Sequence, residues 1–348
     1  MADRSPTIVE QRLPTPDLTH LRSLAHPFGV FEHAEYDRPR PEHGFCVDDN
    51  ARALIVACRE GTGPGVIELA QTTLRFVLDA RDVATGLRNR RQLDGRWRDE
   101  PHSDDAEGRA IWALGVAARQ APTAWLRRTA LDAFTQIPPI DTPHLRPHAT
   151  AMAGAAEVIA MAPRHRGARR LLQQGAERLA AAASGPGPWL EPRLTYDDAR
   201  LPDGLLAAGV ALHDRDLVER ALELLTWLVN EQQYGDRFSF TPTGGREPGG
   251  PKPAFDQQPL EAAAMADACL RAWFVTGDPG WQRHVDQTGR WLLGANDADA
   301  VLYDVTTGGT YDGLTADGVN RNRGAESTLA GLSVLQAARA AGLQIGTR

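Results

Sequence analysis

Acidic side chains in this 348-residue sequence occur in doublets or beside amides, and each group stands where an apolar stretch begins. Four of them, Asp49, Asp105, Glu261 and Glu326, are candidates for acid–base chemistry. Cleaving a glycosidic bond requires one carboxylic acid to protonate the leaving oxygen and one carboxylate on the other face. A helix N-terminus favours a charged carboxylate, so we expect Asp49 or Asp105 to act as base or nucleophile. Glu261 and Glu326 lie beside Ala and Leu and are expected to be the protonated acid.

Further polar and aromatic side chains cluster near the same segments. Carboxylates and amides bind sugar hydroxyl groups, and aromatic rings stack on the C–H face of a sugar. The sequence therefore predicts these substrate-binding residues: Asp48, Arg52, Trp97, Asp104, Glu107, Arg109, His148, Tyr196, Asp198, Asp256, Gln257, Gln258, Tyr311, Asn320 and Asn322.

A simpler interpretation of the acids is structural. Asp is a preferred N-cap residue, and Asp48 with Arg52, or Asp105 with Arg109, has the i to i+4 spacing of a helical ion pair. Capping does not explain doubled acids. It also leaves the neighbouring amides and aromatic residues unexplained, so we keep both interpretations open.

Other catalytic chemistries lack their motifs. Neither Asp doublet continues as the DDxxD of magnesium-dependent isoprenoid synthases, and His43, Cys46 and His102 do not have zinc-ligand spacing. The sequence contains no GxSxG nucleophile elbow, and its Gly-Gly pairs are too short to cradle a phosphate. We therefore expect neither a metal nor a cofactor.

The elements that must position these side chains are helices. Apolar periodicity predicts five helix pairs and one last helix, separated by Gly, Pro and Asp clusters. Residues 17–25 are predicted to supply the partner of the last helix. The predicted spans are 48–60 with 66–80, 104–119 with 123–136, 146–161 with 166–183, 199–212 with 217–230, 258–274 with 279–293, and 324–341.

Composition predicts how these pairs are arranged. The first helix of each pair is rich in Ala and apolar nearly all round, which is typical of a helix buried on every side. The second is amphipathic, as in residues 169–174, which suits an outer layer. We predict an all-α (α/α)6 toroid formed as one domain over residues 1–348, with small hairpins at 237–241 and 302–303. Parallel inner helices would bring all the acidic clusters to one mouth, where the long linkers 230–255 and 296–323 also open.

Composition also limits the cellular setting and the partners. The net charge is −7 and no basic patch is interleaved with aromatic residues, so we do not expect a nucleic-acid partner. No window has the roughly 20 apolar residues of a membrane span, and no apolar run precedes Pro14, which argues against a secretory signal. Three scattered cysteines fit a reducing compartment. We expect a cytoplasmic protein that binds no membrane.

Four segments carry a family resemblance: GFCVDDNARAL at 44–54, DDAEGRAIWALG at 104–115, FDQQPLEA at 255–262 and NRNRGAEST at 320–328. They resemble a bacterial helical domain often attached to, or labelled as, a glycosyltransferase. More broadly they are similar to the (α/α)6-toroid glycoside hydrolases and sugar epimerases. The resemblance covers residue 44 to about 332. It implies a carbohydrate-active protein with an oligosaccharide substrate, and a separate glycosyltransferase as a possible partner.

Three functional hypotheses follow. The first is a glycoside hydrolase or phosphorylase acting on an intracellular oligosaccharide. The second is a sugar epimerase or isomerase of the same fold, an activity that usually needs a histidine pair; His148, His102 and His43 are the candidates. The third is a non-catalytic carbohydrate-binding subunit that works with a separate transferase.

Overall fold

The computed structural model describes residues 13–82, 86–98, 103–182 and 188–343, together with the backbone of 345–346. His102, one of the candidate histidines, lies outside the described residues. Twelve α-helices occupy the described part of the chain: α1 (Thr19–Ser23), α2 (Val47–Glu60), α3 (Val66–Asp79), α4 (Asp104–Gln120), α5 (Ala124–Thr135), α6 (Leu145–Met161), α7 (Arg166–Ala182), α8 (Arg200–Leu212), α9 (Arg215–Gln232), α10 (Pro259–Thr276), α11 (Pro279–Leu292) and α12 (Ala325–Ala340).

The helices form two concentric rings. In the inner ring α2, α4, α6, α8, α10 and α12 each pack against the next, and α12 packs back against α2. In the outer ring α3, α5, α7, α9 and α11 each pack on the inner helix that precedes them, and α1 packs on α12. The all-α (α/α)6 toroid is therefore confirmed, with each inner helix beginning within one residue of its predicted start.

The pair formed by α12 and its outer partner α1 differs most in structure from the other pairs. The outer position beside α12 is filled by α1, which has only five residues. Leu21 of α1 and the leucines that flank the helix, Leu18 and Leu24, are all buried and share the packing. Strand β1 (Leu13–Pro14) pairs in parallel with β14 (Ile345–Gly346). The two ends of the described chain thus meet beside α12 and close the ring.

Short strands lie in the loops between the helices. They pair as β2 (Ala25–His26) with β3 (Gly29–Val30), β4 (Ala34–Glu35) with β5 (Arg38–Pro39), β6 (Phe45–Cys46) with β9 (Arg90–Arg91), β7 (Arg81–Asp82) with β8 (Gly86–Leu87), β10 (Gln233–Tyr234) with β11 (Arg237–Phe238), and β12 (Gly313–Thr315) with β13 (Gly318–Asn320). The hairpin predicted at 237–241 corresponds to β10 and β11. Tyr303 forms a single bridge with Thr310.

Small residues let the inner helices approach closely. A Cβ atom on Gly115 of α4 would lie 2.1 Å from the carbonyl oxygen of Gly154 on α6, and one on Gly154 would lie 2.5 Å from the carbonyl oxygen of Ile111. Neither distance leaves room for a methyl group. These two helices therefore pack backbone against backbone, which explains why the inner helices are so rich in Ala and Gly.

We expect Gly154→Ala to destabilise the protein by about 1–3 kcal/mol, the usual cost of overpacking, although Ala has the higher helix propensity. Exposed Gly167 on α7 is the matched control, because a Cβ there meets only an ordinary contact at 3.4 Å from the His165 ring. Gly167→Ala should be neutral or stabilising. Urea denaturation of both variants measures the difference; equal stabilities would contradict the close approach.

Within the part of the chain that the structure describes, no helix is both long enough and apolar enough to cross a membrane.

Candidate active site

The N-terminal ends of the six inner helices face the same side of the ring, and we call this side the mouth. Contacts there involve residues of α2, α4, α6, α10 and α12 and of the segment before α8. They form one group around Arg109 and Arg146 and a second around Arg52, and we call the two groups together the network. Acids that are far apart in the sequence thus become neighbours in space. The contacts are Asp48 with Arg109, Arg109 with Asp105 and Asp197, Tyr196 with Asp105, Arg146 with Asp198, Asp197 with Glu261, and Arg52 with Asp49 and Glu326.

Arg109 is the centre of this network. Its Nη1 lies 2.7 Å from Asp48 Oδ1 and 3.7 Å from Asp105 Oδ2, and its Nη2 lies 3.4 Å from Asp197 Oδ2. Arg109 therefore joins α2 and α4 to the segment before α8. Burial alone would raise the pKa of Asp48, but Arg109 and Arg52 outweigh burial and hold that pKa below its ordinary value.

A second arginine holds the next part of the mouth. Arg146 on α6 donates to Glu191 and Asp198, both at 2.9 Å, to Thr195 at 2.7 Å, and to the carbonyl oxygen of Tyr196. Its guanidinium group also lies 4.6 Å from the centre of the Tyr196 ring. These bonds fix residues 191–198. Tyr196, whose hydroxyl donates to Asp105, is thereby placed over the mouth.

The opposite side of the mouth is built by α2 and α12. Arg52 Nη1 lies 3.1 Å from Asp49 Oδ1 and 2.9 Å from Glu326 Oε2. The Glu326 side chain is 38% exposed. Glu326 thus forms an ion pair at the exposed edge of the mouth, and its role as the acid stays a prediction.

The capping interpretation fails for the first-turn acids of α2 and α4. The N-cap residues of the inner helices are Cys46, Ser103, His144, Ala199, Gln258 and Gly324, none of which is acidic. Outer helices α9 and α11, by contrast, are capped by Asp214 and Asp278 through side-chain hydrogen bonds. Asp48 instead contacts Arg109 on α4, and Asp49 contacts Arg52 of its own helix. Asp105 contacts Tyr196 and, at the i to i+4 spacing of the helical ion pair, Arg109.

Glu261 is a buried acid of the mouth. It lies in the first turn of α10, is 4% exposed, and accepts a hydrogen bond from the backbone N–H of Asp197. Burial raises the pKa of Glu261 well above its usual value, and the nearby Asp198 and Asp197 carboxylates raise it further. Burial therefore favours the neutral form of Glu261. Its role as the acid stays a prediction.

The pKa of Asp49 differs from what its position at the start of a helix led us to expect. It is 3% exposed, and burial raises its pKa to about 7; Arg52 opposes this shift and Glu326 adds to it. The dipole of α2 favours the charged form by at most a few tenths to about 2 kcal/mol, and desolvation is larger here. The structure therefore does not support Asp49 as the permanently ionised base.

Because the pKa of Asp49 is about 7 in the folded state and 3.8 in its reference state, the folded protein binds this proton more tightly. The resulting stability is present at low pH and is lost as pH rises through about 7. At about 1.4 kcal/mol per pKa unit, raising the pH from about 5 to 8 should cost roughly 2.5–3 kcal/mol through Asp49, nearly all of it below pH 7. Asp49→Asn should remove this loss, as measured by urea denaturation at each pH.

Asp132 on α5 is exposed and provides the matched control for this measurement. Asp132→Asn should keep the wild-type pH dependence. If Asp49→Asn also kept it, Asp49 would be ionised throughout this range.

Asp105 and Glu261 stand on opposite sides of the mouth. In the ring order α2, α4, α6, α8, α10, α12, helices α4 and α10 are three positions apart and therefore face each other across the axis. Asp105 is half-buried, and both the Tyr196 hydroxyl and Arg109 stabilise its negative charge. The mouth thus places Glu261, whose neutral form burial favours, opposite Asp105, which lies beside a hydroxyl donor and a guanidinium group.

A small axial cavity lies just below this pair. Its volume is about 20 Å³, room for about one water molecule, and it is lined by residues of five inner-ring positions including Arg52, Trp112, Asp197 and Arg200. The interior of the ring is therefore filled with side chains. A ligand larger than water must bind above the network, between the loops.

Several predicted residues are placed elsewhere. Gln257 is fully buried and ties loops together, with its amide bonded to Phe240, Ala254 and Asp297. Trp97 packs on Phe76. The contacts of both residues are structural. Asp256 and Asn320 are exposed, and no contact among the described residues joins their side chains to the network.

The remaining predicted residues flank the mouth. Asp104 accepts a hydrogen bond from the Thr142 hydroxyl, and His148 Nε2 lies 3.1 Å from the Thr142 carbonyl oxygen. The Arg323 guanidinium group lies over the Tyr311 ring, and the Tyr36 backbone N–H donates to the Asn322 side chain. Burial lowers the pKa of His148, so this histidine is neutral. Gln258 is the N-cap residue of α10, and Glu107 lies in the first turn of α4.

Four residues of this region were not selected from the sequence. Arg146, Asp197 and Arg200 are buried members of the network, and Asp197 has a φ of 54°, which is uncommon for a residue other than Gly. His33 lies with its Nδ1 3.0 Å from Nδ1 of His43. Arginines at the start of apolar helices were a usable signal for Arg146 and Arg200, and the Asp197–Asp198 doublet was one for Asp197, whereas the histidine contact depends on loop geometry.

Among the described residues, no group of three or more His, Cys, Asp or Glu side chains has a geometry that could hold a metal ion.

Comparisons with known proteins show that the fold is similar to that of several solved structures. No protein-family model matches the sequence, and no curated protein matches it. A sugar epimerase from a ruminal bacterium is 13% identical with a TM-score of 0.71, covering 94% of this chain and 97% of that one. A D-mannose isomerase is 10% identical with a TM-score of 0.69, covering 92% and 94%. The GH76 α-mannanase BT2949 of Bacteroides thetaiotaomicron is 10% identical with a TM-score of 0.64, covering 93% of each chain.

These likenesses extend over nearly the whole of each chain. They support the resemblance to toroid enzymes, and nothing in them supports the glycosyltransferase label. The chain is therefore an (α/α)6 toroid with an acid-lined mouth.

Proposed function

We propose that this chain is a carbohydrate-active enzyme that cleaves a glycosidic bond at the mouth, with Glu261 as proton donor and Asp105 as the ionised carboxylate. The observation that carries the proposal is the contrast between these two groups across the ring axis. Burial raises the pKa of Glu261, whereas Tyr196 and Arg109 stabilise charge on Asp105. Groups with different protonation states on opposite sides of a site are what glycoside cleavage requires.

The proposed reaction follows from this arrangement. Glu261 gives its proton to the glycosidic oxygen as the bond from that oxygen to the anomeric carbon breaks. Asp105 either attacks the anomeric carbon or takes a proton from the water that attacks it. In the first case water later cleaves the glycosyl–Asp105 ester and Glu261 recovers its proton from that water. The separation of the two carboxyl groups around a bound sugar decides between these routes.

The neighbours of Glu261 and Asp105 fit this chemistry. Among the described residues Oε2 of Glu261 has no hydrogen-bond partner, because the single bond to this side chain, from the Asp197 N–H, is made to Oε1. Tyr196 is 39% exposed and offers a ring face above Asp105. Sugar-processing names among the proteins of similar fold, an epimerase, an isomerase and a mannanase, also support the proposal.

A sugar epimerase is the second candidate, and the His33–His43 contact favours it. An epimerase needs one group to remove a proton from carbon and another to return it. The two rings touch near Asp312, whose pKa is raised by burial while His33 acts to lower it. Asp312 is also close enough to Glu326 to feel its charge, so the histidines lie on the α12 side of the mouth.

Proton NMR in D2O distinguishes these activities in one experiment. The protein is incubated with a panel of α- and β-linked gluco- and manno-oligosaccharides and with the free monosaccharides. We expect new anomeric signals from released reducing ends. Deuterium incorporation at a carbon without cleavage would identify an epimerase. A raised melting temperature with unchanged spectra would identify a carbohydrate-binding subunit, and either result would overturn the proposed hydrolysis.

A further inference from the structure

The larger of the two cavities described here lies at the opposite end of the ring from the mouth. Its volume is about 800 Å³, within the range of small-molecule sites, and the C-terminal halves of all six inner helices line it. We call it the rear cavity. Its residues are separate from Glu261 and Asp105, and the proposed reaction does not use them.

One wall of the rear cavity is apolar. Leu270 and Phe274 on α10, Val210 on α8 and Ile159 on α6 line it together with several alanines. Phe274 is 64% exposed and Val210 is 46% exposed, both high for large apolar side chains. Apolar side chains that remain exposed within a concave site provide the surface on which the apolar part of a ligand binds.

The charged groups of the rear cavity leave unused hydrogen-bond donors. The two acids in its lining are already neutralised: Asp267 accepts from Arg59 at 2.9 Å and from Arg200 at 2.8 Å, and Glu157 accepts from Arg119 at 2.9 Å. A guanidinium group has five N–H donors. Arg59 uses one nitrogen on Asp267, and Arg271 uses Nε on Asp203 at 2.6 Å.

Within the described part of the chain, one buried acceptor on a side chain that lines the rear cavity has no hydrogen-bond partner. The Gln336 side chain is 4% exposed and donates through Nε2 to the Val56 carbonyl oxygen at 3.0 Å and to Glu60 at 2.9 Å. Its Oε1 is buried without a hydrogen-bond partner. Because both bonds of Nε2 are to acceptors, the orientation of the amide is fixed. An unsatisfied buried acceptor is costly, and a ligand hydroxyl or N–H group would satisfy it.

From these observations we propose that the rear cavity binds a small amphipathic organic anion. Its carboxylate, sulfonate or phosphate group binds the free donors of Arg59 and Arg271. Its apolar body packs on Leu270, Phe274 and Val210, and a donor group on it satisfies Gln336. Each of the four lining arginines is paired with a carboxylate, yet an anion is favoured over a cation because the two acids of the lining are already paired, whereas a guanidinium group has five N–H donors and can bind a second anion.

The test uses the fluorescent probe 8-anilinonaphthalene-1-sulfonate, which combines an aromatic body, an N–H group and one negative charge. The full-length protein should bind one equivalent, and octanoate should displace it. Uncharged N-phenyl-1-naphthylamine, which lacks the sulfonate, should bind at least tenfold more weakly. Equal binding of the two probes would overturn the proposal, because it would show that the arginines contribute nothing.

Two variants test whether the probe binds in the rear cavity. Ala160→Phe should fill the cavity, and Arg59→Gln should remove an anion contact while Arg200 keeps Asp267 paired; each is expected to weaken binding at least tenfold. Arg170→Gln, on the exposed face of α7, is the control and should bind like the wild type. Unchanged binding in both cavity variants would contradict the proposal. So would binding to anionic phosphatidylglycerol vesicles without binding to the soluble probe.

Discussion

Replacing Glu261 by glutamine is expected to lower kcat roughly 10²–10⁴-fold, the usual contribution of a general acid. The amide keeps the size of the side chain and can still accept from the Asp197 N–H, but it cannot transfer the proton that burial holds on Glu261. KM should change only slightly, because the missing interaction belongs to the transition state. The measurement is initial-rate kinetics on the oligosaccharide that the NMR panel identifies.

Substrates with different leaving groups distinguish a proton donor from a residue that only supports the structure. A 4-nitrophenolate group leaves without protonation, so Glu261→Gln should retain most of its kcat/KM, which reports the bond-breaking step, on a 4-nitrophenyl glycoside. Glu177→Gln, which changes an exposed glutamate on α7, should behave like the wild type on both substrates. Equal losses of kcat/KM on the two substrates would show that Glu261 acts by holding the structure rather than by giving a proton.

Arg200→Met is expected to destabilise the protein by about 3–5 kcal/mol, the cost of leaving buried carboxylates without their partner. Arg200 is 4% exposed, and its guanidinium group lies 2.8 Å from Asp267, 3.3 Å from Asp197 and 3.6 Å from Asp203. It also lies 4.4 Å from the centre of the Trp112 ring. Methionine keeps much of the packing of the Arg200 side chain but carries no positive charge.

The matched control is Arg119→Met, which breaks the pair with Glu157 at 2.9 Å on a side chain that is 50% exposed. An exposed pair of this kind contributes about 0–1 kcal/mol. Urea denaturation of both variants gives the comparison. A loss at Arg200 as small as that at Arg119 would mean that the acids along α8 and α10 are protonated rather than paired.

The fold was predictable because its signal is distributed over the whole chain. Helix starts were marked by Gly, Pro and Asp clusters, and the inner helices were marked by Ala and Gly, whose small size is required where α4 and α6 touch at Gly115 and Gly154. The weakest prediction was the sixth outer helix. Only five residues form α1, because strand pairing and flanking leucines complete that position.

The composition of the mouth was predictable in part, because parallel inner helices bring their first turns together. Protonation states were not predictable, since they depend on burial. The helix position of Asp49 suggested a charged group, yet its desolvation reverses that expectation, and Glu326 forms an ion pair with Arg52 that the sequence did not indicate. Arg109 and Arg146 organise the mouth through contacts with residues 45 or more positions away in the sequence, and helical spacing does not show such contacts.

The central claim is that a sugar binds between Glu261 and Asp105 above the network of the mouth. A crystal structure of the Glu261→Gln variant soaked with the oligosaccharide substrate tests it most directly. We predict a bound sugar whose glycosidic oxygen lies within hydrogen-bond distance of the side chain at position 261, with Asp105 on the other face of the anomeric carbon. A sugar bound in the rear cavity, or away from both residues, would contradict the claim.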